Sequence, residues 1–439
     1  MSSQVASSTS QDKSKPELHR GTAETATAPF NLSSADVVFL TTNNIEYYLH
    51  KSILSIASPF FNDMFTLIQP SQDVMRDNST DERIPVTEDS ETFDDLMRLL
   101  YPVADPPLTD RHRVEQMLEA ALKYQLQEAT DILRAAWRLF IPLCPLIIFA
   151  NACRLRLNEE AGMAAKQCKD DILASSSTNS WEFTFKCTIN GAINTEEMAY
   201  ISAGMFFRLL LYLARGPAPF DDNLQNFLDP GPFFALSRSI DTSQTSGSTT
   251  GTAANASLVE PDVTLRCRDG VDVPAHEVII RLVSASKLLE SPIPSCSSSK
   301  STIYEVDADS GTLRILLDIC YPFPPADLDP SIHRRLDKII TLAKRYEIEK
   351  VEQFIRQRFD RVIISRPTTS YFLAMKWGWA EESDRAARFV AKRSQLVYSY
   401  AMEDSSAKIY IDLLKRIPKI YGSLYRSGSD SEGLVLYEL

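Results

Sequence analysis

"ADVVFLTTNNIEYYLHKSILSIASPFFNDMF" (Ala35–Phe65) decides how this chain is read. Asp36 opens the stretch and His50 follows fourteen positions later. Far down the chain "PDVTLRCRDGVDVPAHEVIIRLVSASKLL" begins at Pro261, and there Asp262 and His276 keep the same separation. "DVVFLTT" is rich in Val and Phe, and "EYYLH" resumes after Asn43–Asn44, so the pair reads as a β-hairpin. The second copy carries the stronger turn signal, Asp269–Gly270, which predicts a type I′ turn. "KSILSIASPFFNDMF" then changes period. Ile53, Leu54, Ala57, Phe60, Phe61, Met64 and Phe65 fall on one helical stripe, broken at Ser58–Pro59.

The overlay runs on past the histidines. "FDDLMRLLYP" ends at Tyr101–Pro102 and "LRILLDICYP" at Tyr321–Pro322, each followed by a Pro/Asp loop and then helical periodicity. Proline blocks a helix and restricts the residue before it, so each Tyr-Pro reads as a helix stop. An aromatic marks a break in both (Tyr124, Tyr346), another stands further on (Trp137, Phe359), and a proline follows (Pro145, Pro367). "FANACRLRLNEEAGMAA" lies over "YFLAMKWGWAEESDRAA", with Glu159–Glu160 over Glu381–Glu382. A period of about 220 residues is far longer than a solenoid repeat, so this is a duplicated domain. Short strands are expected at "RIPVTE" and "TIYEVDA". Each copy is therefore an α+β unit: a β-hairpin plus helical hairpins, followed by a helical extension.

The expected organisation is a disordered tail over 1–34, a first unit over 35–137 and a helical extension over 138–236. A flexible linker over 237–258, a divergent second unit over 259–360 and a second helical extension over 361–439 complete it.

Bulk properties narrow the function classes. The 439 residues are 44% hydrophobic and 24% charged, as in ordinary globular proteins. A formal charge of −12 opposes general affinity for nucleic acid or anionic lipid. Residues 334–395 hold 15 Lys/Arg against 8 Asp/Glu, so that segment is +7 and the remainder −19. A solvated helical face accounts for it most simply; docking of an acidic partner is the alternative. The seven cysteines are scattered with no C-x-x-C pair, which leaves no zinc-finger or thioredoxin pattern and fits reduced thiols. The N-terminus has no apolar core for a signal peptide, and "LFIPLCPLIIFANAC" (Leu139–Cys153) is shorter than a bilayer span and interrupted by prolines. An intracellular location, cytoplasmic or nuclear, is expected.

The order D-V-x-F, turn, H-K-x-x-L, S-P-F-F-x-x-M-F resembles the BTB/POZ domain. The resemblance rests on Asp36, Val37, Phe39, His50, Lys51, Leu54, Ser58, Pro59, Phe61, Met64 and Phe65, with Tyr101–Pro102 in place of the family's tyrosine-threonine-glycine, a form similar to that of fungal members. The second copy keeps Asp262, Val263, His276 and Tyr321–Pro322, while "SASKLLESPIPS" departs from the pattern. The resemblance implies a protein-interaction module without catalysis. Such modules dimerise, serve as substrate adaptors of cullin-type ubiquitin ligases, or recruit transcriptional corepressors. Protein partners are therefore expected, a cullin or a corepressor among them, together with homodimerisation or pairing of the two copies inside one chain. Neither nucleic acid nor membrane is expected as a partner. A hydrophobic-x-Glu cullin signature and a C-terminal kelch or Cys/His module are not found.

His50 and His276 invite a reading as bases, but a base needs a nucleophile or metal nearby. A histidine between a strand and a helix reads better as a structural hydrogen-bonding group, and Asp36 and Asp262 as acceptors of backbone N–H groups. Trp377 and Trp379 read as core. No phosphate loop, dinucleotide fingerprint or nucleophile elbow occurs, so no catalytic, cofactor or metal residue is expected. Two rival readings stay open: an enzyme with its site between the halves, and a nuclear regulator meeting nucleic acid through the +7 segment.

Overall fold

The computed structural model describes residues 23–67, 83–175, 195–214, 260–284, 287–290, 292–293, 302–321, 333–393 and 397–416, with a few isolated positions between them. The linker expected over 237–258, residues 1–22 and Pro322 lie outside the described residues. Two compact units divide the chain, Met1–Ile141 and Pro142–Leu439. The first ends just past the boundary expected at 137. The second holds the first helical extension and the second α+β copy together.

In the first unit β2 (Val37–Leu40) and β3 (Ile45–Leu49) form the expected antiparallel hairpin, with Val37 opposite Leu49 and Leu40 opposite Glu46. That register turns Phe39 and Tyr47 into the core. β4 (Arg83–Pro85) runs parallel to β2. Between them α1 (Lys51–Ala57) and α2 (Pro59–Leu67) are separated by Ser58, held extended (φ −147°, ψ 124°) because Pro59 disfavours a helical residue before it. Phe61 packs edge-on to Phe39 at 5.8 Å, and Phe93 edge-on to Tyr47 at 5.1 Å. Asp89 caps α3 (Ser90–Arg98) by accepting from Thr92 N–H, and Asp110 caps α4 (Arg111–Lys123) by accepting from Arg113 N–H. α5 (Gln127–Arg138) closes the unit through buried Trp137.

Three expectations need correction. The tail expected to be disordered over 1–34 is contradicted over its last residues. Residues 23–34 are structured: β1 (Glu24–Thr25) pairs parallel with β3, Ala26 N–H donates to Glu46 O, and Phe30 is fully buried against Tyr47 and Tyr101. Phe30 and Leu32 amid Ser, Thr and Ala show no sustained periodicity, and the burial of Phe30 depends on an edge supplied by β3. The Asp-Gly turn is not type I′. Neither Asp269 nor Asn43 has positive φ; Gly270 (φ 76°) and Asn44 (φ 67°) do. Gly270 N–H donates to Cys267 O and Asn44 N–H to Thr41 O, so both hairpins are four-residue turns closed by a left-handed residue. Third, one residue read on the helical stripe is not on its buried side. Ile53, Leu54, Ala57, Phe61, Met64 and Phe65 are buried or half-buried on both sides of Ser58–Pro59, and Phe60 is left at the surface.

The second copy repeats the plan. β5 (Val263–Cys267) and β6 (Asp272–Ala275) form the hairpin, and β8 (Thr302–Val306) runs parallel to β5. Where "SASKLLESPIPS" leaves the pattern, the fold leaves it too. A single helix α9 (Glu277–Ser284) is followed by a 3₁₀ turn (Lys287–Leu289) and a short strand β7 (Pro292–Ile293), with no counterpart of α2 among the described residues. The sheet order is β6-β5-β8-β7. Asp309 caps α10 (Ser310–Cys320) through Thr312 N–H, as Asp89 does in the first copy. The break after α4 closes with left-handed Gln125 and a Leu126 N–H to Ala121 O bond. After α11 (His333–Arg345), Glu347 is left-handed and Ile348 N–H donates to Ala343 O.

The duplication continues into the extensions. α6 (Pro145–Arg154) and α7 (Asn158–Ser175) meet at left-handed Arg156. In the second copy α12 (Glu349–Ser365) leads to α13 (Pro367–Trp377) and α14 (Ala380–Arg393), which meet at left-handed Gly378. Leu157 N–H to Ala152 O and Trp379 N–H to Ala374 O are the same capping bond.

Candidate interaction surfaces

The repeated aspartates and histidines come together with the repeated tyrosines. Asp36 Oδ1 accepts the N–H of Lys51, first residue of α1, at 2.7 Å, and Asp262 Oδ1 accepts that of Glu277, first residue of α9, at 2.7 Å. His50 N–H donates to Tyr101 Oη at 2.8 Å and His276 N–H to Tyr321 Oη at 3.2 Å. His50 precedes α1 but supplies no side-chain cap, so Asp36 caps that helix from the head of the sheet. Burial raises the Tyr101 and Tyr321 pKa values, and each phenol stays a neutral acceptor holding the histidine backbone. Both trios tie sheet to helix, and this accounts for the fixed spacing. Ser58 is also part of the framework: its buried hydroxyl donates to Tyr124 O at 2.5 Å and accepts Phe61 N–H at 3.2 Å. Phe61 stacks on Tyr124 at 5.1 Å and half-buried Phe65 on Phe61 at 6.2 Å, while Pro102 is exposed just past the helix stop.

Four of the described cysteine thiols are held protonated by burial. Burial pushes Cys168 and Cys320 up to about 12 and Cys267 to about 11, and drives Cys153 higher still. Thiols held that high stay protonated at neutral pH. Among the described residues no group of His, Cys, Asp or Glu could hold a metal ion. Among them, too, no helix is long and apolar enough to cross a membrane.

Cations of the basic run over 334–395 are paired along the helical surface, mostly with carboxylates of the same run. Arg345 pairs with Asp307, Arg356 with Glu382, Lys376 with Asp337 and Arg385 with Asp360. Lys344 donates to Trp377 O and Lys350 to Cys320 O, each at a helix C-terminus where a cation is favoured. Trp377 and Trp379 are buried edge-on at 4.8 Å, their indole N–H groups donating to Asp337 and Glu352. They are core, as expected.

What faces outward is apolar surface on the short helices. In the first copy Ile56 is 88% exposed, Leu67 82% and Phe60 37%, all on α1 and α2. In the second copy Leu282 is 77% exposed and Val278 61%, both on α9. Two helices present this surface in the first copy and one in the second. The helical stripe read from the sequence includes Phe60 and leaves out Ile56.

A hairpin of strands, a parallel third strand and helices tied back by Asp, His and Tyr, found twice, match a known family. The BTB/POZ domain family matches residues 30–137 and 255–361. This is a tandem BTB/POZ domain protein. No curated protein matches the chain. The first BTB domain begins at Phe30 in the family match, which agrees with the burial of that residue and with the correction to the tail. BTB/POZ domains are protein-interaction modules, and this chain is accordingly an adaptor-class protein with protein partners.

Proposed function

We propose that this tandem BTB/POZ protein is a non-enzymatic scaffold whose first BTB domain recruits the partner, acting in the cytoplasm or nucleus. The observation that supports this is the apolar surface of α1 and α2, where Ile56 and Leu67 stand almost fully exposed with Phe60 at the surface beside them in the chain. Exposed apolar clusters on soluble proteins mark interaction sites. The second domain, with α2 replaced by a 3₁₀ turn and β7, offers a smaller surface and serves as structural support. Family membership brings two partner classes, cullin subunits and transcriptional corepressors. Affinity purification of the full chain with mass spectrometry separates them, since cullin enrichment assigns a ligase adaptor and corepressor enrichment a transcriptional regulator. Ile56→Asp with Leu67→Asp is expected to lose the enriched partner at unchanged thermal stability. Full retention by that double variant overturns the assignment of the surface.

A further inference from the structure

The two helical extensions grip each other, and they do so about a local two-fold axis. Ser202 and Ser406 form an isolated antiparallel bridge. Ala203 N–H donates to Ser405 O at 2.6 Å, and Ala407 N–H donates back to Ile201 O at 2.9 Å. Each serine caps the helix it precedes: Ser202 Oγ accepts from Met205 N–H and starts α8 (Ala203–Ala214), and Ser406 Oγ accepts from Lys408 N–H and starts α15 (Ala407–Lys415). The sequences correspond around that centre. "MAYISAGMFFRLL" (198–210) lies over "MEDSSAKIYIDLL" (402–414), matching Met198 to Met402, Ala203 to Ala407 and Phe206 to Tyr410. Phe206, Phe207, Tyr398 and Tyr410 are buried together between the two segments. A contact in which each surface meets its own duplicate is the geometry of a two-fold homodimer.

One pair of side chains breaks that symmetry. Arg208 and Glu403 form a buried two-pronged ion pair, Nη1 to Oε1 at 2.5 Å and Nη2 to Oε2 at 3.1 Å. Tyr398 Oη and Ser202 Oγ donate to the same carboxylate, and Arg208 Nε donates to Phe227 O. At the symmetry-related place the counterparts are Asp412, which is exposed and pairs with Lys415, and Ala199, which has no charge. Were two first extensions to meet, Arg208 would face Ala199; were two second extensions to meet, Glu403 would face Asp412. Either leaves a buried charge without its partner, an arrangement that strongly penalises the complex.

We propose that the surfaces around Ser202 and Ser406 are a matched interface derived from a self-contact, in which Arg208 and Glu403 select first extension with second and reject like with like. The contact closes within one chain. When opened, each surface takes its complement from a second copy of this chain, giving an exchanged dimer.

Charge reversal in full-length chains tests this. Arg208→Glu places two carboxylates at the centre and Glu403→Arg places two guanidiniums, so each single variant opens the clasp. The double variant restores the pair inside one chain, with the stability of the native protein. Mixing the two single variants, differently tagged, sets the substituted carboxylate of one chain against the substituted guanidinium of the other, and rebuilds the native pair from the two unchanged positions. Co-purification between tags is expected to exceed that of either single variant with itself, or of native with native, by at least about tenfold. A mixture no better than the single variants, or a double variant as unstable as they are, overturns the proposal. Should a single variant fail to fold, Gly204→Ala gives the same test more gently. A methyl there would overlap Glu403 Oε1, forcing the carboxylate off Arg208. Amide exchange is then expected to quicken together over 201–210 and 401–414, and independent or unchanged exchange in the two segments refutes the interface.

Discussion

If the Asp–His–Tyr trio is a framework and not a catalytic site, Asp36→Ala and Asp36→Asn must behave differently. Asp36 accepts the N–H of Lys51 at 2.7 Å, and His50 adds no side-chain cap at the start of α1. Losing a capping acceptor to alanine costs about 1 kcal/mol, whereas asparagine caps nearly as well as aspartate and forfeits only the few tenths that a charge contributes near a helix N-terminus. Because about 1.4 kcal/mol is a factor of ten, alanine should lower the protection of α1 amides roughly fivefold and asparagine by less than about twofold. Amide exchange followed by mass spectrometry on peptides covering 50–57 reads this locally. That matters because a chain of two units does not unfold as a single two-state system. Asp262 gives an internal replicate: its Ala and Asn variants should produce the same pair of effects over 277–284, since Asp262 holds Glu277 N–H at the same distance. If asparagine proves as damaging as alanine at either position, the carboxylate charge matters for something other than capping, and the reasoning fails.

Further outcomes follow from other contacts. Burial alone would raise the Glu88 pKa, but hydrogen bonds from Tyr124 Oη and Lys123 Nζ outweigh it and hold the carboxyl below its ordinary 4.5. A lowered folded pKa stabilises above the unfolded value and stops doing so as pH falls through the folded one. The melting-temperature gap between native protein and Tyr124→Phe should therefore be widest near neutrality and narrow below about pH 4.5; a gap constant down to about pH 3 contradicts this account. Gly378 sits at φ 80° with open space where a Cβ would point, so Gly378→Ala should cost about 1 kcal/mol from backbone strain alone, a drop of roughly 2–4 °C in the melting of its unit. An unchanged melting curve would show that the α13–α14 corner relaxes without strain.

Local chemistry was legible without coordinates. The hairpin at Asn43–Asn44, the break at Ser58–Pro59 and the stops at Tyr101 and Tyr321 each depend on residues within a turn or two, and the spacing of hairpin and stop survived duplication and revealed it. The divergence of "SASKLLESPIPS" was legible too, although its replacement by a 3₁₀ turn and β7 was not. The interaction surface was half visible. The sequence marked α1 and α2 and left Ile56 off their stripe, while the exposure of Phe60 came only from the structure.

By itself the sequence determined the α+β class of each copy, its repetition and the membership of both copies in one family, because each of these is written in short-range pattern. Tertiary structure alone decided the rest. Phe30 is core only because β3 offers an edge to residues 24–25, and Arg345 meets Asp307 only because the fold brings β8 and α11 together. Arg208 and Glu403 stand 195 residues apart, a separation at which no periodicity carries information. Their meeting depends on folding the chain back onto its own duplicate, so that shape and buried charge choose the partner.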